Sequence, residues 1–217
     1  MQITPAILPQ SYTELNEKIN LLRGLSSSVQ IDLCDGVFGK TKTWLPDEEK
    51  IYLPQGFDYE FDVMMFSWKI YIPICISLGA RRIVVHVDNF TEEECYRLLS
   101  YFENTNIKLG ISVSNDTSIE EHIKYIRFFS EKNKNIYVQV MGIRNIGAQG
   151  EFFDEECLLR IKEIKKNFGD VVVQVDGSMN IDTVRKVKDS GAEIAVVGSY
   201  LFGHEDIDTR LNSLKEV

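Results

Sequence analysis

Residues 171–203 read VVVQVDGSMNIDTVRKVKDSGAEIAVVGSYLFG. An apolar run, Val171–Val175, ends in Asp176-Gly177-Ser178. A helical pattern follows, with Ile181, Val184 and Val187 on one face, and a second apolar run, Ile194–Val197, ends in Gly198-Ser199. Continuously apolar runs of this length are what strands covered on both faces require. Two of them joined by an amphipathic helix make a βαβ unit with parallel strands.

The same alternation fills the chain on the N-terminal side. Further strand-like runs lie at Ile3–Leu8, Val29–Cys34, Tyr59–Met65, Arg82–Val87, Lys108–Val113 and Ile136–Met141, which makes eight. Helical patterns lie between them. Leu15, Ile19 and Leu22 share a face, Thr91 reads as the N-cap of the acidic start EEECYRLLSYF, and Thr117 or Ser118 opens IEEHIKYIRFF with Ile119, Ile123 and Ile126 on its apolar side. Leu158, Ile161 and Ile164 line another helix. The segment KTKTWLPDEEKIYLPQG at 40–56 carries two prolines and is expected to be mostly loop with one short helix. Eight strands with intervening helices favour a closed, single-domain (β/α)8 TIM barrel over 1–217 rather than an open sheet.

Composition agrees. The chain has 217 residues, 44% hydrophobic and 26% charged, enough for a large core and outside the range of disordered chains. A formal charge of −9 argues against a nucleic-acid or anionic-membrane surface. It leaves room for a small anionic ligand, because a few backbone N–H groups hold a phosphate locally. Cys34, Cys75, Cys95 and Cys157 are far apart and read as reduced core thiols. The opening MQITPAILPQ lacks the basic and apolar regions of a signal peptide, and no apolar stretch is long enough to span a bilayer. A cytoplasmic protein is expected.

The chemistry of such a barrel sits where strands end. Asp32 falls inside the second apolar run, on the same face as Gln30 and Cys34 by the two-residue strand period. Asp176 closes the seventh run. Paired carboxylates can remove a proton next to a carbonyl and return one to the other face; the plainer alternative is a strand-end acid that caps nearby backbone. Gly177-Ser178 and Gly198-Ser199 let backbone approach a phosphate, or simply make tight turns. The loop GIRNIGAQG, Gly142–Gly150, either closes over a ligand or is a flexible connection. His86 ends the fourth run as a ligand-facing or a packed residue, and His122 and His204 read as surface positions. Neither the histidines nor the cysteines have metal-ligand spacing.

ITPAILPQSYTELNEKI, QIDLCDGVF, FDVMM, RIVVHVD, VQVMGI, VDGSMN and VVGSYLFG, in this order, resemble the ribulose-phosphate 3-epimerase family along nearly the whole chain. The resemblance implies a ribulose-phosphate-binding barrel and often a homo-oligomer. It also implies a mechanism in which two aspartates act as acid and base through a metal-stabilised enediolate. Carried over by position, Asp32 and Asp176 match the catalytic aspartates, which also bind the metal. Gly177, Ser178, Gly198 and Ser199 match the phosphate-binding turns, and Met141 matches a methionine lining the family's site; Gly142 and Gln30 are further candidates for binding the substrate.

The chain also departs from the family. Gln30 and Met64 stand where the family has histidine metal ligands, Pro9 replaces an early serine, and the loop after the sixth strand is altered to RNIGAQG and carries Arg144. An amide and a thioether are poor substitutes for imidazole at Zn²⁺. Two carboxylates and an amide oxygen suit Mg²⁺ weakly, so either no cofactor or a weakly bound divalent metal is expected. Three readings stay open. One is an epimerase or isomerase acting on a phosphorylated sugar by aspartate-mediated proton transfer, with Gln30 or Arg144 stabilising charge. The second is a barrel that binds a sugar phosphate without turning it over. The third is a lyase or isomerase of another class on the same scaffold.

Overall fold

The structure is a computed structural model that describes residues 1–47, 51–148 and 150–217. Eight parallel strands close into a barrel in sequence order, with the first paired to the last. The strands are β1 (Gln2–Ile7), β2 (Ser28–Cys34), β3 (Asp58–Met64), β4 (Ala80–His86), β5 (Lys108–Val113), β6 (Ile136–Met141), β7 (Val173–Asp176) and β8 (Ile194–Val197). The helices are α1 (Tyr12–Leu21), α2 (Trp68–Ser77), α3 (Glu92–Ser100), α4 (Ile119–Lys132), α5 (Glu156–Asn167), α6 (Ile181–Asp189), α7 (Ser199–Phe202) and α8 (Ile207–Lys215).

Local chemistry starts the helices where the sequence places them. Thr91 accepts from the Glu94 N–H, and the Glu94 carboxylate accepts from the Thr91 N–H, a reciprocal capping box. Ser118, rather than Thr117, caps α4, and Asn180 caps α6 by accepting from the N–H groups of Asp182 and Thr183. Such caps contribute about 1 kcal/mol each.

Two expectations need correction. Among the described residues, 40–56 contains no helix; residues 48–50 lie outside them. This segment is instead held against the strand ends, with Trp44 N–H donating to Pro9 O and Thr43 N–H to Cys34 O. His122 is fully buried, not a surface residue. The buried face of α4 runs through His122, Ile126 and Phe129, so the helix is rotated slightly from the face expected. The imidazole meets Asp88 Oδ1 at 3.3 Å and the Arg160 guanidinium at 3.2 Å. Burial alone would raise the Asp88 carboxyl, but hydrogen bonds from His122 and Thr117 hold it below its ordinary value.

The apolar core is a shell between sheet and helices. Ile31, Phe61 and Ile83 pack outward against Leu15, Ile19 and Ile72 on one side; Val138, Val175 and Ala195 meet Ile161, Val184 and Leu211 on the other. Each of these side chains larger than alanine contributes roughly 1.5–3 kcal/mol by burial. The lumen, by contrast, is largely polar. Register sets Gln30 beside Glu60 and Glu60 beside Arg82, with Asp32 beside Asp62 in the next layer. The floor is filled by Tyr137, whose ring fits only because residue 110 is glycine: a Cβ there would stand 2.6 Å from the ring.

Candidate active site

The strand period puts alternate residues of β2, β3, β6 and β7 into the lumen. At its C-terminal end this brings Asp32, Met64, Met141 and Asp176 together, with Gly177, Ser178, Gly198 and Ser199 on the rim of the same pocket. Gln30 lies one layer below. Its Nε2 donates to Asp32 Oδ1 at 2.9 Å and to Asp176 Oδ2 at 3.0 Å, so a single amide joins the two acids.

A third carboxylate completes the group. Asp62 is fully buried, accepts from Gln139 Nε2 at 2.7 Å, and lies 3.0 Å from His86 Nε2. His86 therefore faces inward but meets Asp62 rather than the pocket rim. Carboxylate oxygens of Asp32, Asp62 and Asp176 lie within 4.8 Å of one another. Burial and the neighbouring charges of Asp176 and Asp62 push Asp32 well above the carboxylate range. Burial, then the charge of Asp62, lifts Asp176 to about 7, against the lowering effect of the Gln30 hydrogen bond.

The rim residues divide by role. Gly142 packs the ends of β6 and β7 together: its N–H donates to Asp176 O at 2.6 Å, and a Cβ would stand 2.3 Å from Gly177 O. Gly177 has φ 108° and Ser178 φ 57°, a left-handed turn that aims backbone at the rim. The Ser178 hydroxyl donates to Glu151 O at 2.6 Å and so ties down the loop after β6. Around Gly198 there is more room, the nearest atom to an added Cβ being Ala6 O at 3.4 Å.

Arg144 is not available as a charge stabiliser. Its guanidinium is spent on Asp154 at 2.8 Å, Glu156 at 2.9 Å and Asp116 at 3.7 Å. Asp62, Glu60, Arg82 and Gln139 were not picked out as site residues from sequence. For three of them a signal was present: Glu60 and Asp62 alternate with apolar residues in DYEFDVM, and Gln139 stands between valines in YVQVM.

The family's metal centre is tested by the donors available here. Three clustered carboxylates are hard oxygen ligands that a divalent cation could take. Gln30, however, turns its NH₂ rather than its oxygen toward Asp32 and Asp176, and Met64 offers a thioether 3.7 Å from Cys34 Sγ. Neither replaces an imidazole. The residues do not fit that metal centre.

Known proteins share both fold and sequence with this chain. The ribulose-phosphate 3-epimerase of Aquifex aeolicus is 25% identical over 221 residues, covering 99% of this chain and 96% of its own. That of Bacillus subtilis is 26% identical over 228 residues, covering 99% and 98%. A crystal structure of 3-hexulose-6-phosphate synthase superposes with a TM-score of 0.69 at 16% identity, covering 100% of this chain and 99% of its own. KGPDC from Streptococcus mutans, in complex with D-R5P, gives 0.69 at 9% identity, covering 99% and 95%. These two likenesses show the fold. The profile of the ribulose-phosphate 3 epimerase family matches residues 2–202, and the chain belongs to that family.

Proposed function

We propose that this protein moves a proton at the carbon beside a carbonyl in a phosphorylated sugar, with Asp32 and Asp176 as the acid–base pair. The observation that carries the reading is the pairing itself: acids from β2 and β7 share one amide donor at the mouth of a pocket rimmed by glycine turns. Their raised affinity for protons favours one ionised and one protonated partner near neutral pH, the state a two-sided proton transfer needs. Gln30 binds one oxygen of each carboxylate and leaves the other for the substrate. Backbone at Gly177-Ser178 and Gly198-Ser199 seats the phosphate. No step is routed through a metal. Because one strong stabiliser of developing charge is missing, turnover is expected to be slow, by roughly 10²-fold or more on the scale of a lost oxyanion donor.

The test is incorporation of solvent deuterium into ribulose 5-phosphate, followed by NMR, with Mg²⁺, Mn²⁺ or chelator present. Exchange lost in Asp32→Asn and Asp176→Asn supports the reading; no exchange under any condition ends it. A second reading, a sugar-phosphate-binding barrel without turnover, is favoured by the engagement of Arg144 away from the pocket. Calorimetric binding without deuterium exchange would select it. The four free, buried cysteines support a cytoplasmic location.

A further inference from the structure

Below the acids runs a set of hydrogen bonds that proton transfer does not directly use. Arg82 lies at the base of the lumen, in an ion pair with Glu60: its Nε stands 2.6 Å from Oε2, without hydrogen-bond alignment. Glu60 is buried and Arg82 half-buried, and both reach the same amide. Arg82 Nη1 donates to Gln174 Oε1 at 3.4 Å, and Gln174 Nε2 donates to Glu60 Oε1. A guanidinium only donates, and a carboxylate paired with it only accepts. The pair therefore dictates which end of the Gln174 amide faces which way.

That choice propagates upward. Gln174 Nε2 also reaches Gln139 Oε1 at 2.7 Å and Gln30 Oε1 at 3.3 Å, its two hydrogens being shared among these and Glu60 Oε1. Both oxygens thus point down, and both NH₂ groups point up: Gln30 to Asp32 and Asp176, Gln139 to Asp62. Turning one amide over would set oxygen against oxygen in a buried site. The three amides turn together or not at all.

We propose that the Arg82–Glu60 pair is a positioning device which, through Gln174, locks Gln30 and Gln139 with N–H rather than C=O toward the three aspartates. The centre so made holds carboxylates with neutral donors and disfavours a cation, which would meet amide hydrogens where it needs oxygens. Its bearing on catalysis rests on the proton-transfer reading above; the lock itself does not.

The lock is read without substrate. In protein carrying ¹⁵N-labelled glutamine side chains, the Gln30 NH₂ protons are expected to exchange slowly and to show NOEs to the Hβ protons of Asp32 and Asp176. NOEs that place the Gln30 NH₂ against Gln174 instead overturn the proposal in the unaltered protein, whatever the fate of variants. Gln174→Met cuts the link, and NH₂ exchange at Gln30 and Gln139 should accelerate at least tenfold. Freed amides can then offer oxygen to an ion, so Mn²⁺ affinity by EPR titration should rise about tenfold, the scale on which outer-shell partners tune metal sites. Arg82→Lys, which still only donates, should keep the Gln30 signature. Unchanged exchange and unchanged Mn²⁺ affinity in Gln174→Met would refute the lock. Slow amides in a protein that exchanges no deuterium into ribulose 5-phosphate would instead sink only the proton-transfer reading.

Discussion

Gln30 on β2 donates through its amide nitrogen to Asp176 on β7, 3.0 Å away and 146 positions later in the chain. The same nitrogen serves Asp32, two residues ahead of it. A single neutral side chain thus stands between two acids at the point where the resemblance places an imidazole and a cation. Gln30→Leu would leave both carboxylates without that donor. The expected loss is about 1–3 kcal/mol of stability, measured by urea unfolding at neutral pH. An unchanged midpoint would show that the bond contributes nothing.

The proton-binding of Asp176 gives stability a definite pH dependence. Its pKa rises from the ordinary 3.8 to about 7, so between those values the folded chain binds more protons than the unfolded one. The contribution of Asp176 to stability therefore falls as pH rises through that window and levels off above it. Asp176→Asn should flatten the decline in melting temperature from about pH 4 to about pH 7. Parallel curves for the two proteins would contradict the assignment.

Gln30→His combined with Met64→His supplies the two imidazoles that the centre lacks. The double variant is expected to retain Zn²⁺ through gel filtration in one-to-one proportion, while the unaltered protein emerges free of it. Equal metal content in both, by atomic absorption, would mean that the donor set was judged wrongly.

Gly142→Ala forces a methyl group to within 2.3 Å of Gly177 O. Backbone cannot yield as a flexible side chain does, so a cost of roughly 1–3 kcal/mol is expected. The displaced turn carries the proposed phosphate seat. Binding of ribulose 5-phosphate should weaken more than binding of unphosphorylated ribulose, as read by calorimetry; equal weakening would separate the turn from the phosphate.

Much of this was legible in the chain. Continuous runs such as RIVVHV and EIAVVG read as strands covered on both faces, and eight such runs with helical patterns between them favour the barrel. Thr91 and Glu94 announce α3 by their spacing. Helix α2 was less visible, because Pro73 stands inside it and its apolar residues show little sidedness. Burial of Trp68, Ile72 and Cys75 overrides the proline. Asp32 and Asp176 could be named from sequence because one interrupts an apolar strand and the other closes one. The role of Gln174 could not, since it depends on Arg82 and Glu60, residues brought to it by strands 92 and 114 positions away. Hydrogen-bond direction across a closed sheet is a property of the assembled lumen and of no segment within it.

The Tyr137 ring seated against Gly110 turns the barrel into a cup rather than a tube. Whatever reaches the three aspartates enters by the rim and leaves by it. Incoming and outgoing molecules must then queue at one doorway, and each excludes the other while inside. For any conversion run there, reactant and product are mutual competitors by construction.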